Sequence, residues 1–455
     1  MWREIEKKLL AWKNRSNRKP LVLSGIRQCG KTYSLQSFGR EQFSSCVYFN
    51  FEAQPGLDSI FAQDFDTERI IRELSGISGT PITEGETLVI FDEVQESPRA
   101  LTSLKYFCEE KPALHIACAG SLLGTSVRRE GFSFPVGKVE RLFMFPLTFY
   151  EFVQANRGGE LLGVLAGMEL EREISAVYAE RMKDLLRQYF IVGGMPAAVS
   201  AWIDSQDLQE VESVQENLLR DYENDFSKHA SRSDIPKIHM IWNSIPMQIA
   251  KENNKFVFSH VKKGIRAKDL EDALQWLQDA GMIHKNELVA KPEIPLSFGA
   301  DSTYFKVFLP DVGLLRRRAN LAARDIISGN ENYKRFKGAF AENYVMTELA
   351  AMGFHPYFWR SGNTAEIDFL IEGGGEIIPI EVKAAENVRA KSLALYMSRY
   401  RPRCAFKTSL RNVGVTRQGD TELWSLPLFM LWKIGRYLGR NRMKFLLIPK
   451  KARKA

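Results

Sequence analysis

The stretch "VLSGIRQCGKTYSL" constrains this chain most strongly, because it contains the spacing GxxxxGK[ST] between a β-rich run and a helical stretch. Glycines in such a loop allow the backbone N–H groups to surround phosphate oxygens, and the start of the next helix adds a favourable dipole. Lys31 is expected to reach the β- and γ-phosphates of ATP, and the Thr32 hydroxyl is expected to ligate Mg²⁺. The predicted nucleotide-binding loop consists of Gly25, Ile26, Arg27, Gln28, Cys29, Gly30, Lys31, Thr32 and Tyr33.

Two further β-rich runs carry polar residues at their ends. The run "TLVIFDEVQ" ends in Asp92 and Glu93, as expected for a buried strand that delivers carboxylates beside the phosphate-binding loop. We predict that Asp92 holds Mg²⁺ and that Glu93 polarises the attacking water. The run "HIACAG" is followed by Ser121, which is placed to sense the γ-phosphate or the water. The alternative for Ser121 is a turn or cap residue, the commoner role of a serine after a strand.

A basic segment, "SVRREGFSFPVGKVERL", follows Ser121 and contains Arg128, Arg129, Lys138 and Arg141. One of these cations, with Arg128 and Arg141 as catalytic candidates, could complete the nucleotide site of a neighbouring subunit in a homo-oligomer. The alternative is a solvated basic loop.

The formal charge of +8 is concentrated at the end of the chain. From Leu423 onward there are nine basic residues and no acidic one, so the remainder is nearly neutral. This distribution favours a basic end segment that contacts nucleic acid or acidic lipid, or else a solvated tail. The nine residues are Lys433, Arg436, Arg440, Arg442, Lys444, Lys450, Lys451, Arg453 and Lys454.

The five cysteines are widely spaced, include no CxxC pair and have no clustered histidines beside them. This pattern is typical of reduced thiols in a cytoplasm and predicts no zinc site. No segment reaches the roughly 18 continuous apolar residues of a spanning helix, so we expect no membrane span.

The pattern along the 455 residues changes several times. Residues 1–155 alternate short β-rich runs with helical stretches, which predicts an α/β domain with a parallel sheet. Residues 156–231 are helical and charged. Residues 232–330 show two helical periods and a strand, residues 331–430 a helix, a hairpin and another helix, and residues 431–455 form the basic tail.

The motifs "GIRQCGKT", "VIFDEVQ", "AGSLLG", "FPLTFYEF", "GGMPAAV", "FLPDVGLL" and "IDFLIEGGGEIIPIEVKA" resemble those of prokaryotic AAA-type ATPases that carry a C-terminal domain of unknown function. The resemblance extends over about residues 15–430. It implies an AAA-type P-loop ATPase core, a helical lid, a winged-helix segment, and a C-terminal α/β fold similar to the PD-(D/E)xK restriction nucleases.

The winged-helix segment contains a helical period whose apolar members are Leu270, Ala273, Leu274, Leu277 and Ala280. Its polar positions carry more acid than base, whereas a helix that reads DNA normally presents cations to the phosphates. Both DNA binding and protein interaction therefore remain open for this segment.

The stretch "AEIDFLIEGGGEIIPIEVKAAE" reads as two β runs joined by a glycine turn. By the nuclease resemblance, Asp368 and Glu381 would share a metal ion, Lys383 would steady the attacking water, and Glu342 on the preceding helix would supply a further acid. The alternatives are a surface hairpin that happens to carry charges and a retained site without cleavage.

The sequence thus predicts an ATP-hydrolysing switch that regulates a winged-helix and nuclease-like module and acts on nucleic acid or a protein partner. An ATP-regulated, metal-dependent nuclease and an interaction protein that binds ATP without hydrolysing it are the alternatives.

Overall fold

The computed structural model describes residues 1–120, 134–251, 255–362, 365–384 and 390–446, with the backbone alone for residues 332 and 440–446. The chain forms two compact units. The first contains residues 1–146 together with 275–282, and the second contains residues 147–274 and those from 283 onward.

The first unit contains a parallel five-stranded sheet with the strand order β2-β3-β4-β1-β5. The five β-rich runs of the sequence are confirmed as these strands. Their bounds are Leu21–Gly25 (β1), Ser45–Asn50 (β2), Thr87–Asp92 (β3), His115–Ala119 (β4) and Glu140–Met144 (β5).

Helices cover this sheet because their apolar faces pack on its buried side chains, among them Val22, Phe49, Phe91 and Ile116. The helix Pro98–Glu110 begins where the Ser97 side chain accepts a hydrogen bond from the Ala100 amide. The described α-helices of this unit are Ile5–Lys13, Lys31–Gln42, Asp58–Gln63, Thr67–Ser78 and Pro98–Glu110. A further helix, Glu271–Asp279, enters it from residue 275 onward.

The second unit contains a mixed eight-stranded sheet with the order β12-β13-β11-β10-β9-β8-β6-β7. Because β6 and β7 precede residue 330 and the other strands follow it, one sheet crosses the domain boundary expected there. The strands are His284–Val289 (β6), Ala300–Phe308 (β7), Tyr357–Ser361 (β8), Ala365–Gly373 (β9), Glu376–Val382 (β10), Cys404–Ser409 (β11), Gly414–Gln418 (β12) and Thr421–Pro427 (β13).

Helices of the second unit occupy stretches read as helical. The apolar set Leu270, Ala273, Leu274, Leu277 and Ala280 is buried, and its last two members belong to the first unit. Trp359, Ile367, Leu370 and Tyr396 belong to an apolar core shared by strands and the helix at 391. The described α-helices are Phe149–Ala155, Gly159–Gly167, Ala176–Val192, Pro196–Ser205, Leu208–His229, Ile235–Ile249, Phe258–Val261, Val312–Arg318, Ala323–Ser328, Glu331–Ala351, Lys391–Tyr400 and Trp432–Leu446.

The motifs "GGMPAAV" and "FLPDVGLL" meet inside the second unit. The buried carboxylate of Asp311 accepts hydrogen bonds from the Gly194 amide at 2.5 Å and the Leu314 amide at 2.8 Å. A Cβ on Gly193 would lie 2.3 Å from Asp311 Oδ1, and one on Gly194 would lie 2.0 Å from the Leu147 carbonyl oxygen. The break between two helices therefore requires glycine at both positions.

Among the described helices, none is long and apolar enough to cross a membrane.

Candidate functional site

The predicted phosphate-binding loop lies between β1, which ends at Gly25, and the helix that begins at Lys31. Gly25 has a φ of 150°, and a Cβ there would be 2.2 Å from the Met144 carbonyl oxygen on β5. Glycine is therefore required for the chain to leave the sheet at this point. The buried Cys29 thiol donates to the same carbonyl at 3.4 Å, so the far side of the loop is fixed to β5.

Lys31 is held inside this loop. Its side chain is buried, and Nζ donates to the carbonyl oxygens of Gly25 at 2.9 Å and Ile26 at 3.0 Å. A buried ammonium costs free energy unless it is hydrogen-bonded, and these carbonyls provide the bonds. The Lys31 ammonium therefore lies within the loop that the sequence predicts to bind phosphate.

Thr32 and Asp92 meet as predicted for a pair that ligates Mg²⁺. The Thr32 hydroxyl donates to Asp92 Oδ2 at 2.9 Å. Tyr48 on β2 donates to the same oxygen at 2.7 Å, because β2 lies beside β3 with Asn50 opposite Asp92. Burial and the Asp92 carboxylate raise the pKa of Tyr48 to about 12, so this hydroxyl remains a donor.

Glu93 follows Asp92 in a left-handed backbone conformation, with a φ of 49°. This conformation is uncommon for a residue with a side chain and is found preferentially at functional sites. The Gln95 amide donates to Glu93 Oε2 at 2.5 Å and so holds the carboxylate. Burial raises the pKa of Glu93, and the neighbouring Asp92 charge raises it further, while Gln95 opposes the shift. A carboxylate with a raised pKa is suited to accept a proton from water.

Tyr48 and Gln95 are contributors that the sequence reasoning missed. Tyr48 lies two residues before the end of β2, so strand alternation places it on the same face as Asn50. Gln95 lies in the short turn after β3. The order of strands in the sheet was needed to place Tyr48 beside Asp92.

Only some of the predicted trans-acting cations lie among the described residues. Ser121, Arg128 and Arg129 lie outside the described residues. Lys138 forms an ion pair with Glu109 at 2.8 Å. The Arg141 guanidinium stacks over the Phe134 ring at 3.8 Å. Both have partners within the first unit, and a role in a neighbouring subunit remains a prediction.

The hairpin of the second unit has the register that the sequence suggested. Phe369 pairs with Ile380, so Asp368 and Glu381 are the next residues along the two strands. Asp368 Oδ2 accepts from the Val382 amide at 2.7 Å, and Lys383 Nζ lies 2.6 Å from Glu381 Oε1. Glu381 is buried, and its Oε2 has no hydrogen-bond partner among the described residues. The surface-hairpin alternative therefore does not describe this site.

Lys306 on β7 is a cation of this cluster that the sequence reasoning missed. Its Nζ lies 2.6 Å from Glu366 Oε1 and 3.2 Å from Glu342 Oε2. Its side chain is 2% exposed, and a lysine is rarely buried to this extent unless it is paired. Four consecutive residues of β7, from Phe305 to Phe308, are buried, so no alternation marks Lys306, and the residue lies in the segment assigned to the winged helix.

Burial and like charge act together on the carboxylates of this cluster. Burial, Glu381 and Glu342 raise the pKa of Asp368 well above its usual range, against the opposing charges of Lys306 and Lys383. Burial also raises the pKa of Glu381, although Lys383 opposes that shift. The carboxylates raise the pKa of Lys306 despite its burial, so it stays protonated.

The expected metal set is not assembled in this arrangement. Among residues 1–120, 134–251, 255–362, 365–384 and 390–446, no group of three or more His, Cys, Asp or Glu side chains could hold a metal ion. Glu342, Asp368 and Glu381 are near enough to interact electrostatically, but the Lys306 ammonium engages the Glu342 carboxylate. The ligand set predicted from the nuclease resemblance therefore does not fit a divalent ion here.

The basic tail also begins later than predicted. Lys433, Ile434 and Leu438 are buried, and the Lys433 ammonium donates to the Met168 carbonyl oxygen. Arg436 is exposed but its guanidinium stacks over the Trp432 ring at 4.8 Å. The first part of the helix Trp432–Leu446 is thus part of the folded unit.

Three family models match parts of the chain. Residues 17–153 match an AAA domain, residues 183–325 match a domain of unknown function (DUF8612), and residues 337–429 match another domain of unknown function (DUF4143). No curated protein matches the sequence.

Several solved structures resemble the chain at low identity. A Walker-type ATPase of Pyrococcus abyssi is 16% identical, covers 70% of this chain and 95% of its own, and has a TM-score of 0.44. The ORC2 protein of Aeropyrum pernix is 14% identical, with coverage of 72% and 94% and a TM-score of 0.36. DnaA of Aquifex aeolicus is 14% identical, with coverage of 61% and 86% and a TM-score of 0.28.

The class of the first unit follows from its own features. Its parallel sheet, its phosphate-binding loop after β1 and its match to an AAA domain over residues 17–153 make it similar to the P-loop ATPases. The C-terminal part is an α/β region that carries a domain of unknown function.

Proposed function

We propose that this protein is an ATP-binding and hydrolysing AAA-type switch whose nucleotide state regulates its C-terminal module. The observation that carries the proposal is the hydrogen bond of 2.9 Å between Thr32 and Asp92, beside the buried Lys31. These three groups come from the loop and from a strand that is not adjacent to it in sequence, in the arrangement that nucleotide hydrolysis requires.

The loop binds the phosphates of ATP. Backbone N–H groups at the start of the helix Lys31–Gln42 face the phosphate oxygens, and the helix dipole favours their charge. Lys31 exchanges its carbonyl partners for β- and γ-phosphate oxygens. Thr32 and Asp92 would hold Mg²⁺, which when bound neutralises charge that develops on the phosphates.

Glu93 accepts the proton of the attacking water. Gln95 fixes the carboxylate through its hydrogen bond of 2.5 Å, and Glu93 has the left-handed backbone conformation directly after the strand. The raised pKa of Glu93 gives it enough basicity for this role, and Asp92 remains with the metal.

A covalent route for regulation runs through residues 275–282. This segment belongs to the first unit, while the residues on both sides of it belong to the second. A Cβ placed on Gly281 would be 3.7 Å from the Ile26 amide nitrogen in the phosphate-binding loop. A change of the loop on nucleotide binding therefore acts on a segment that is joined to the second unit at both ends. The downstream partner is nucleic acid or a protein.

The test is steady-state phosphate release combined with nucleotide titration. Lys31→Ala is expected to abolish turnover and weaken ATP binding, and Glu93→Gln is expected to bind ATP without turnover. Lys8→Ala and Glu96→Gln, at exposed positions of the same unit, are the matched controls. Wild-type turnover in Glu93→Gln would overturn the assignment of the base.

The same assay separates the alternatives. Tight ATP binding by the wild type with negligible turnover would identify an interaction protein. A metal-dependent nuclease would instead require cleavage of DNA or RNA that is lost in Lys383→Ala.

A further inference from the structure

The carboxylate cluster of the second unit contains a cation of its own. Lys306 reaches it from β7, which lies outside the C-terminal match at 337–429. The ammonium lies 2.6 Å from Glu366 Oε1 and 3.2 Å from Glu342 Oε2, and the side chain is 2% exposed. Its other neighbour is the Phe358 ring, whose centroid is 5.2 Å away.

These contacts use the oxygens that a metal ion would need. A divalent ion binds carboxylate oxygens at about 2.0–2.6 Å, and an ammonium bonded to the same oxygens makes them weaker ligands for it. An ammonium beside the ion would also repel it, because like charges at short range disfavour each other. Lys306 therefore competes with a metal ion for Glu342 and Glu366.

The remaining charges of the cluster are compensated by the protein itself. The Arg360 guanidinium lies 3.3 Å from Glu366 Oε2, and Lys383 is paired with Glu381. The cluster thus contains three cations and four carboxylates. The cations are Lys306, Arg360 and Lys383, and the carboxylates are Glu342, Glu366, Asp368 and Glu381. Removing one partner from a buried ion pair is strongly destabilising, because it leaves the other charge uncompensated.

We propose that Lys306 is a built-in cation that occupies the carboxylate cluster in place of a divalent metal ion. The nuclease-like module then holds its acidic residues together without metal, as an ion-pair network. Removing the ammonium should take one positive charge from Glu342 and leave Glu366 paired with Arg360 alone, and this added negative charge should convert the cluster into a metal site.

The test is Mn²⁺ binding to the nucleotide-free, full-length protein, measured by the loss of the free-ion signal in electron paramagnetic resonance. Asp92→Asn is present in every protein, so that Mn²⁺ at the nucleotide-binding loop does not contribute. With the lysine in place, no Mn²⁺ should bind and the Tm should not depend on Mn²⁺. Lys306→Ala should have a lower Tm, bind one Mn²⁺ and regain part of its Tm on Mn²⁺ addition.

Two controls locate the effect. Lys306→Arg keeps a cation and should bind no Mn²⁺, and the Lys306→Ala/Asp368→Asn double variant should lose most of the gained affinity. If Lys306→Ala does not fold, Lys306→Gln takes its place. Mn²⁺ binding to the protein that retains Lys306 tests the proposal in either case. The proposal would be overturned if the protein with Lys306 binds Mn²⁺ and Asp368→Asn abolishes that binding. It would also be overturned if Lys306→Ala or Lys306→Gln folds but binds no Mn²⁺. Because Mn²⁺ binding is measured without ATP turnover, a negative result would contradict this proposal without affecting the proposed ATPase.

Discussion

The hydroxyl of Thr32 donates a hydrogen bond of 2.9 Å to Asp92, although 60 positions separate the two residues. Tyr48 donates to the same carboxylate oxygen at 2.7 Å. Asp92 is therefore oriented by two donors from two different elements, the helix after the phosphate-binding loop and the neighbouring strand β2.

Tyr48→Phe should weaken the hold on Asp92 without disturbing the loop. A hydrogen bond to a charged group contributes about 1.5 kcal/mol at the lower end, so the Mg²⁺ concentration for half-maximal turnover should rise roughly tenfold. The value of kcat at saturating Mg²⁺ should change much less. Tyr106→Phe, whose ring stacks on Phe65 in the same unit, is the control. Unchanged Mg²⁺ dependence in Tyr48→Phe would show that Thr32 alone orients Asp92.

Gln95→Ala should shift the pH dependence of ATP hydrolysis. Burial raises the pKa of Glu93, and the Gln95 amide opposes that shift by stabilising the carboxylate. Because the base must be deprotonated, kcat falls as the pH drops through this pKa. Without Gln95 the pKa rises further, so the acid limb of the kcat profile should move to higher pH. An acid limb that does not move would separate Gln95 from the base.

The sequence predicted correctly those features of the fold that a short, local residue pattern defines. The loop from Gly25 to Thr32 has its own spacing, and the run that ends in Asp92 and Glu93 has its own apolar pattern, so both strands and the sites at their ends could be predicted. The hairpin at 365–382 was equally readable because alternation and a glycine turn define its register.

The contributors that were missed depend on strand order. Tyr48 and Lys306 reach their sites across a sheet, and no local pattern shows that β2 lies beside β3 or that β7 belongs to the C-terminal sheet. Lys306 precedes Glu342 by 36 positions and was read as part of another module. The metal site was predicted from the acids alone, because their counter-ion Lys306 could not be recognised in the sequence.

Gly193→Ala and Gly194→Ala should each destabilise the second unit strongly. A new Cβ would lie 2.3 Å from Asp311 Oδ1 in the first variant and 2.0 Å from the Leu147 carbonyl oxygen in the second. We expect each to lose more than about 3 kcal/mol of unfolding free energy in urea titrations. Gly163→Ala has open space around its Cβ on an exposed helix and should gain up to about 1 kcal/mol. Equal stability of all three would contradict the close contacts.

Asp311→Asn should change how stability depends on pH. Burial raises the pKa of Asp311 to about 6, so the folded state holds this proton more tightly than the unfolded state. The stabilisation from protonation is complete below the ordinary pKa of about 4 and is lost as the pH rises to about 6. The loss amounts to about 3 kcal/mol as an upper bound.

Asparagine cannot titrate, and its single oxygen can replace only one of the two carboxylate acceptors. The wild type should therefore lose stability relative to Asp311→Asn between about pH 4 and pH 6, on top of a constant offset from the lost hydrogen bond. Urea unfolding at a series of pH values measures this difference. A difference that does not vary with pH would mean that Asp311 does not titrate in this range.

Removal of residues 447–455 tests whether the end of the chain binds nucleic acid. This deletion removes Lys450, Lys451, Arg453 and Lys454 but leaves Ile434 and Leu438, which are buried. Because each neutralised phosphate contributes about 0.9 to the slope of log K against log salt, the slope should fall by at most about 3 to 4. Fluorescence anisotropy with a labelled duplex at several salt concentrations gives the slope. A deletion from residue 433 would remove core side chains and confuse unfolding with lost binding, so the shorter deletion is the informative one. An unchanged slope would assign the contact to the described part of the chain.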